Sequence, residues 1–95
     1  MSVTRSPTAR PVVDPLGFVA SDVTGLRRRQ FEAVDGHRSA ADVAQSVAMS
    51  LDLPSNVKWS LRNEQSARML REDQSVGSQV ESGAELVVIP KSQLG

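Results

Sequence analysis

Ninety-five residues suit one small domain, and a chain of that length buries only about 60–65% of its unfolded surface. Eleven basic and eleven acidic side chains cancel, so neither nucleic acid nor an anionic membrane is an expected partner. With 39% apolar residues, three aromatics (Phe18, Phe31 and Trp59) and no cysteine, the chain suits a thin core of Val, Leu and Ala. The composition excludes disulfides, thiolate metal sites and a thiol nucleophile.

The opening stretch MSVTRSPTARPVVDPLG lacks the continuous apolar core of a signal peptide, and no segment is long and apolar enough to span a bilayer. A cytoplasmic location is the expectation. Residues 1–16 carry Pro7, Pro11 and Pro15 among small polar residues without periodicity, and read as a flexible or extended arm.

From Gly17 the pattern changes. GFVASDV and RRRQFEAV flank the turn TGL and read as a β-hairpin. Phe18 and Ala20 share one face of the first strand, and Phe31 and Ala33 one face of the second. Val19, Val23 and Val34 fall on the opposite parity, which leaves the register open. The run Arg27-Arg28-Arg29 reads as a solvated strand end beside a turn, with an anion-binding patch as the alternative. Ser39 then caps a helix, with Asp42 three residues on completing a variant capping box near the positive end of the helix dipole. Val43, Val47 and Leu51, joined by Ala44 and Ala48, give that helix one apolar face, and Leu53-Pro54 stops it.

VKWSLR alternates strictly, with Val57, Trp59 and Leu61 on one side, and reads as a half-buried strand. NEQS turns the chain into the short strand ARML, where Leu70 is the inward residue. REDQSVGSQVESG is loop-like, anchored by Val76 and Val80. AELVVIP is the last strand, ended by Pro90, with Leu86 and Val88 on one parity and Val87 and Ile89 on the other. One core of Val43, Val47, Leu51, Trp59, Leu61, Leu70, Leu86 and Val88 follows.

Catalytic chemistry is not legible. His37 has no cluster of Cys, Asp or Glu at ligand spacing, so no metal is expected. No phosphate-binding glycine loop, nucleophile elbow or serine–histidine–acid set occurs. Glu72, Asp73, Glu81 and Glu85 read as solvated loop carboxylates. The expectation is a protein that is not an enzyme and needs no cofactor.

The order of elements, the glycine turn of the hairpin, the hydroxyl-capped helix with its LP exit, and the V-x-x-G-x-x-L run (Val80, Gly83, Leu86) entering the last strand carry a resemblance. Over residues 17–95 the chain resembles the ubiquitin-like β-grasp fold, and bacterial ubiquitin-like proteins of the modifier family in particular. The implied class is α+β: a mixed sheet of four to five strands on one helix, first and last strands parallel at its centre. The domain would span residues 17–90, followed by a tail over 91–95.

What the resemblance implies for function is a protein modifier. The Gly95 carboxylate would be adenylated by an activating enzyme with ATP, passed to a conjugating enzyme, and joined to target proteins through an isopeptide or ester bond, with a deconjugating peptidase to reverse it. Leu94, Gln93 and Lys91 would be recognition residues, and Val87 and Ile89 would either form an exposed apolar patch beside the tail or pack under the N-terminal arm. Conjugated relatives usually end in two glycines; here Leu94 precedes Gly95, which counts against a sulfur carrier. A five-residue tail, extended, reaches about 17 Å. Only Lys58 and Lys91 are lysines, which fits either genome composition or a chain built to be attached to lysines. The alternative is a non-covalent β-grasp adaptor, like the ubiquitin-like proteins associated with type VII secretion.

Overall fold

The computed structural model describes residues 12–93. Its elements are β1 (Leu16–Ser21), β2 (Arg28–Val34), α1 (Ala40–Ser50), β3 (Trp59–Asn63), β4 (Arg68–Met69) and β5 (Ala84–Pro90), with short 3-10 turns at Val76–Ser78 and Lys91–Gln93. The five strands form one mixed sheet in the order β2-β1-β5-β3-β4. β1 and β5 are parallel neighbours, and the remaining pairings are antiparallel. No helix among the described residues is long and apolar enough to cross a membrane.

The expected hairpin forms, and its open register has a physical answer. Leu16 pairs with Val34 and Phe18 with Phe31, so β2 carries one extra residue between them. Ala33 takes it up at φ 57°, a β-bulge. Counting by twos from Phe31 placed Ala33 inward. The bulge instead leaves Ala33 exposed and turns Val34 against the core. β1 also starts earlier than the expected domain boundary: Leu16 is fully buried, and the Val13 N–H donates to the Gly77 carbonyl at 3.0 Å. Of the expected arm, residues 1–11 lie outside the described residues.

Helix α1 starts as its sequence indicates. Ser39 Oγ accepts from the Asp42 N–H at 3.1 Å. The second half of the capping box is absent, because the Asp42 carboxylate faces Arg38 Nε at 3.3 Å. The other end differs more. The last turn of α1 contains no basic residue, and arginines from the hairpin supply the positive charge. Arg27 Nη1 donates to the Leu51 carbonyl at 3.0 Å and to that of Asp52 at 2.7 Å. Arg29 Nη1 reaches the Ser50 carbonyl at 3.4 Å. Orphan carbonyls and the negative end of the helix dipole both favour cations there. Two of the three arginines of that run, while exposed, therefore also tie the hairpin to the end of the helix.

Ala40, Val43, Ala44, Val47, Ala48 and Leu51 pack onto Leu16, Phe18, Ala20, Trp59, Leu61, Leu86 and Val88. All eight residues expected to form the core are in it, together with the loop anchors Val76 and Val80. Gln45 joins helix to sheet by bracketing β3: its Oε1 accepts from the Trp59 N–H at 2.7 Å and its Nε2 donates to the Val57 carbonyl at 3.3 Å.

Candidate docking face and C-terminal exit

Two of the residues marked out for recognition, Val87 and Ile89, sit on the side of the sheet away from α1. On β5, Leu86 and Val88 belong to the helix-side core, so Val87 and Ile89 point the opposite way. Val87 pairs with Ser21 and Arg62, and Ile89 with Ser60. Neither forms an exposed patch: each is only 7% exposed. They form the floor of a shallow hollow of about 330 Å³ whose walls include Ser21, Val23, Gly25 and Arg62. The arrangement is a shielded apolar floor, because the hairpin loop and the Arg62 side chain flank the two β-branched residues.

That hairpin loop presents two exposed apolar groups that were not marked out for recognition from sequence. Leu26 is 88% exposed and Val23 is 56% exposed. The loop presents them rigidly. Asp22 Oδ1 accepts from the Thr24 hydroxyl at 2.8 Å and the Arg27 N–H at 3.4 Å. The Asp22 carbonyl accepts from the Gly25 N–H at 3.1 Å, and Thr24 Oγ1 accepts from the Leu26 N–H at 3.1 Å. Slight burial opposes the charged form of Asp22, but the Thr24 hydroxyl and the amides of Arg27, Gly25 and Thr24 outweigh it and lower its pKa. The string Asp-Val-Thr-Gly was the available signal, since Asp and Thr side chains mimic backbone in such turns.

The C-terminal exit is held down. The expectation of an extended tail from residue 91 is corrected: Lys91–Gln93 is a 3-10 turn. The Lys91 N–H donates to the Lys58 carbonyl at 2.9 Å, and Lys91 Nζ lies 3.0 Å from Glu72 Oε1. The other Glu72 oxygen accepts from the buried Ser60 hydroxyl at 2.9 Å. Glu72 is therefore no free loop carboxylate. Hydrogen bonds from Lys91 and then Ser60 hold its pKa below the usual carboxylate value against mild desolvation, and the charges of Lys91 and Lys58 add to them. Gln93 closes the turn; Leu94 and Gly95 lie outside the described residues.

That pairing has a pH consequence. A carboxylate whose folded pKa lies below its unfolded value stabilises the fold above the unfolded pKa, and loses that contribution as pH falls through the folded value. Lys91→Ala should move the Glu72 titration, followed by carboxyl-detected NMR, upward toward the ordinary glutamate value. In the unsubstituted chain the backbone of residues 91–93 should become more mobile as Glu72 protonates. A Glu72 titration unmoved by Lys91→Ala would show that the contact does not persist in solution.

The fold also supplies acidic neighbours to His37 that its local sequence lacks. His37 Nε2 lies 3.6 Å from Asp14 Oδ2, and ligand atoms of Asp14, Asp35 and His37 lie within 4.8 Å of one another. Both carboxylates already serve the backbone: Asp14 Oδ1 accepts from the Gly36 N–H and Asp35 Oδ1 from the His37 N–H. The cluster is accounted for by the seating of residues 12–14 against this loop.

No protein-family model matches the chain, and no curated protein matches it in sequence. Solved structures do match in shape. Caldiarchaeum subterraneum ubiquitin is similar at TM-score 0.62 and 19% identity, over 79% of this chain and 91% of that one. The ubiquitin-like domain of an Arabidopsis thaliana protein is similar at TM-score 0.62 and 13% identity, over 96% of this chain and 93% of that domain. A chain in a toluene 4-monooxygenase HD complex is similar at TM-score 0.65 and 16% identity, over 79% of this chain and 96% of that chain. The chain therefore has the ubiquitin-like β-grasp fold, an α+β architecture. Identities this low establish the fold alone.

Proposed function

We propose that this protein is a ubiquitin-like modifier, a substrate of conjugating enzymes rather than a catalyst, with Gly95 as the acyl-donating residue. The observation that carries the reading is the ubiquitin-like fold, in which the central strand β5 leads directly into residues 91–95. In the proposed reaction the Gly95 carboxylate attacks the α-phosphate of ATP and releases pyrophosphate. An enzyme thiolate then displaces AMP to form a thioester, and a target nucleophile displaces the thiolate. Glycine suits this role because it has no Cβ to hinder attack at its carbonyl or to block a narrow channel. Lys91, Gln93 and Leu94 would be read by the activating enzyme. The rigid hairpin tip with Val23 and Leu26, beside the Val87–Ile89 floor, would dock the same enzyme or its successors.

The test is expression with the genes adjacent to its own, followed by immunoblotting for adducts heavier than the free chain. Intact mass spectrometry of the native protein reads whether Gly95 carries the free carboxylate. Adducts should form, and Gly95 deletion should abolish them. Gly95→Val should slow transfer more than it weakens enzyme binding, because bulk at the carbonyl hurts most as it is attacked. Adducts that survive the deletion, or a mature chain that continues past Gly95, would refute the assignment.

A non-covalent adaptor is the second reading, favoured by the pinned exit. With Lys91–Gln93 held in a turn, these three residues do not carry the chain away from the domain as an extended tail would. An adaptor needs no reach. Under that reading Leu26→Arg would abolish partner capture while Gly95 deletion would leave it intact; under the modifier reading the deletion is the damaging change.

A further inference from the structure

β2 is the outermost strand, and no described strand pairs with its free edge. Arg28, Arg29, Gln30, Glu32 and Ala33 are exposed along it, with Phe31 and Val34 half-buried. A free edge offers unpaired N–H and C=O groups to any incoming strand. Edge charges ordinarily deter such pairing, and one sign alone would deter a second copy most. This edge carries both signs, and their spacing decides what it accepts.

Directly opposed residues of an antiparallel pair share a face of the sheet. Phe31 and Arg29 pair with the buried core residues Phe18 and Ala20, so both lie on the helix side. By strand alternation Arg28, Gln30 and Glu32 lie on the other. If β2 meets β2 of a second copy with Gln30 on the two-fold axis, Arg28 of each chain opposes Glu32 of the other, and Arg29 opposes Phe31. Centring on Arg29 instead sets arginine against arginine. Centring on Phe31 removes the ion pairs and runs the strand into the bulge at Ala33. The charge pattern is thus self-complementary in one register and poor in the two nearest.

The packing beside the edge suits the same partner. Between β2 and α1 lies a hollow of about 230 Å³ lined by Phe31, Val34, Val43 and Val47, with Ser46 and Ser50 among its polar residues. Phe31 is fixed there by stacking on Phe18, ring centroids 5.3 Å apart. A two-fold through Gln30 brings Arg29 and Phe31 of the second copy alongside this hollow, where a guanidinium can lie on an aromatic face. We propose that β2 is a self-association edge, joining two copies antiparallel about Gln30 into one continuous sheet.

The chain has no cysteine, so one introduced thiol reports without ambiguity. Gln30→Cys sits on the two-fold and should give a disulfide-linked dimer under mild oxidation, since opposed Cβ atoms lie about 4.5–5.5 Å apart, near disulfide reach. Ser66→Cys, in the β3–β4 turn, should not. Sedimentation of the full chain from micromolar to millimolar concentration should show a monomer–dimer equilibrium. Glu32→Arg should weaken it about tenfold or more, because two attractive cross-strand pairs become repulsive. Adding Arg28→Glu in the same chain should restore it to within about threefold, and thermal melts check that each variant is folded. A chain monomeric at millimolar concentration overturns the proposal. So does a dimer indifferent to Glu32→Arg, or an edge whose amides gain exchange protection only when an unrelated extended peptide is added.

Discussion

Leu86→Asp is expected to abolish cooperative folding at neutral pH. Leu86 is 1% exposed, lies on central strand β5 between Ala20 of β1 and Asn63 of β3, and faces α1 as part of the core. An aspartate there loses the leucine's packing and brings a carboxylate with no partner, a cost of several kcal/mol whether the group stays charged or takes up a proton. At about 0.05–0.15 kcal/mol per residue, a domain of this length has about 5–14 kcal/mol in total. Val47→Asp on the facing helix should do the same. Leu86→Ala, which removes packing without adding charge, should cost about 2–5 kcal/mol and leave a measurable urea transition. The two costs separate by pH. A buried Asp has a folded pKa raised above its unfolded value, so Leu86→Asp should regain stability as pH falls, whereas Leu86→Ala should not. A Leu86→Asp chain with an unchanged neutral-pH melt would refute the core placement.

Gly36→Ala is expected to unseat residues 12–14. Three backbone segments knit together here: the Val13 N–H donates to the Gly77 carbonyl at 3.0 Å, and the Gly77 N–H donates to the Gly36 carbonyl at 2.8 Å. The Gly36 N–H donates to Asp14 Oδ1 at 3.2 Å. A Cβ on Gly36 would fall on the Val13 carbonyl oxygen, and one on Gly77 would lie 2.5 Å from the same atom. The obstacle is backbone and cannot rotate away, so the segment must lift, losing two hydrogen bonds and the packing of Val13 on the core. The expected cost is about 1–3 kcal/mol, read as a lowering of the midpoint by about 4–8 °C per kcal/mol. A double-mutant cycle isolates the cause: with residues 1–13 deleted, Gly36→Ala should cost little. An equal cost in both backgrounds would mean that contact with Val13 is not the reason for glycine at this position.

Local order was legible wherever a pattern rests on neighbours in the chain. Ser39, the Val43–Val47–Leu51 stripe and the Leu53-Pro54 stop report on α1 because capping and amphipathic period are short-range properties. Alternation in Val57–Arg62 reports on β3 for the same reason, and the inward residues of helix and strand then identify their own core. The order of these elements, with the glycine turn, the LP exit of the helix and the Val80-x-x-Gly83-x-x-Leu86 run, carried the resemblance to a β-grasp sheet.

Other features needed the folded chain, because their cause lies far away in sequence. Val34 faces inward only because Ala33 bulges, and the bulge is set by pairing with Leu16 and Phe18 across the hairpin. Arg27 and Arg29 serve the C-terminal end of α1, more than twenty residues on, through contacts no local pattern encodes. Glu72 becomes a latch because the sheet brings Ser60 and Lys91 to it, which turns an expected extended tail into a pinned turn. Val87 and Ile89 have the parity of an outward pair, and parity correctly assigns their side of the sheet. Their shielding was decided by the hairpin loop and Arg62. Parity is a property of one strand, whereas exposure depends on what the rest of the chain places above it.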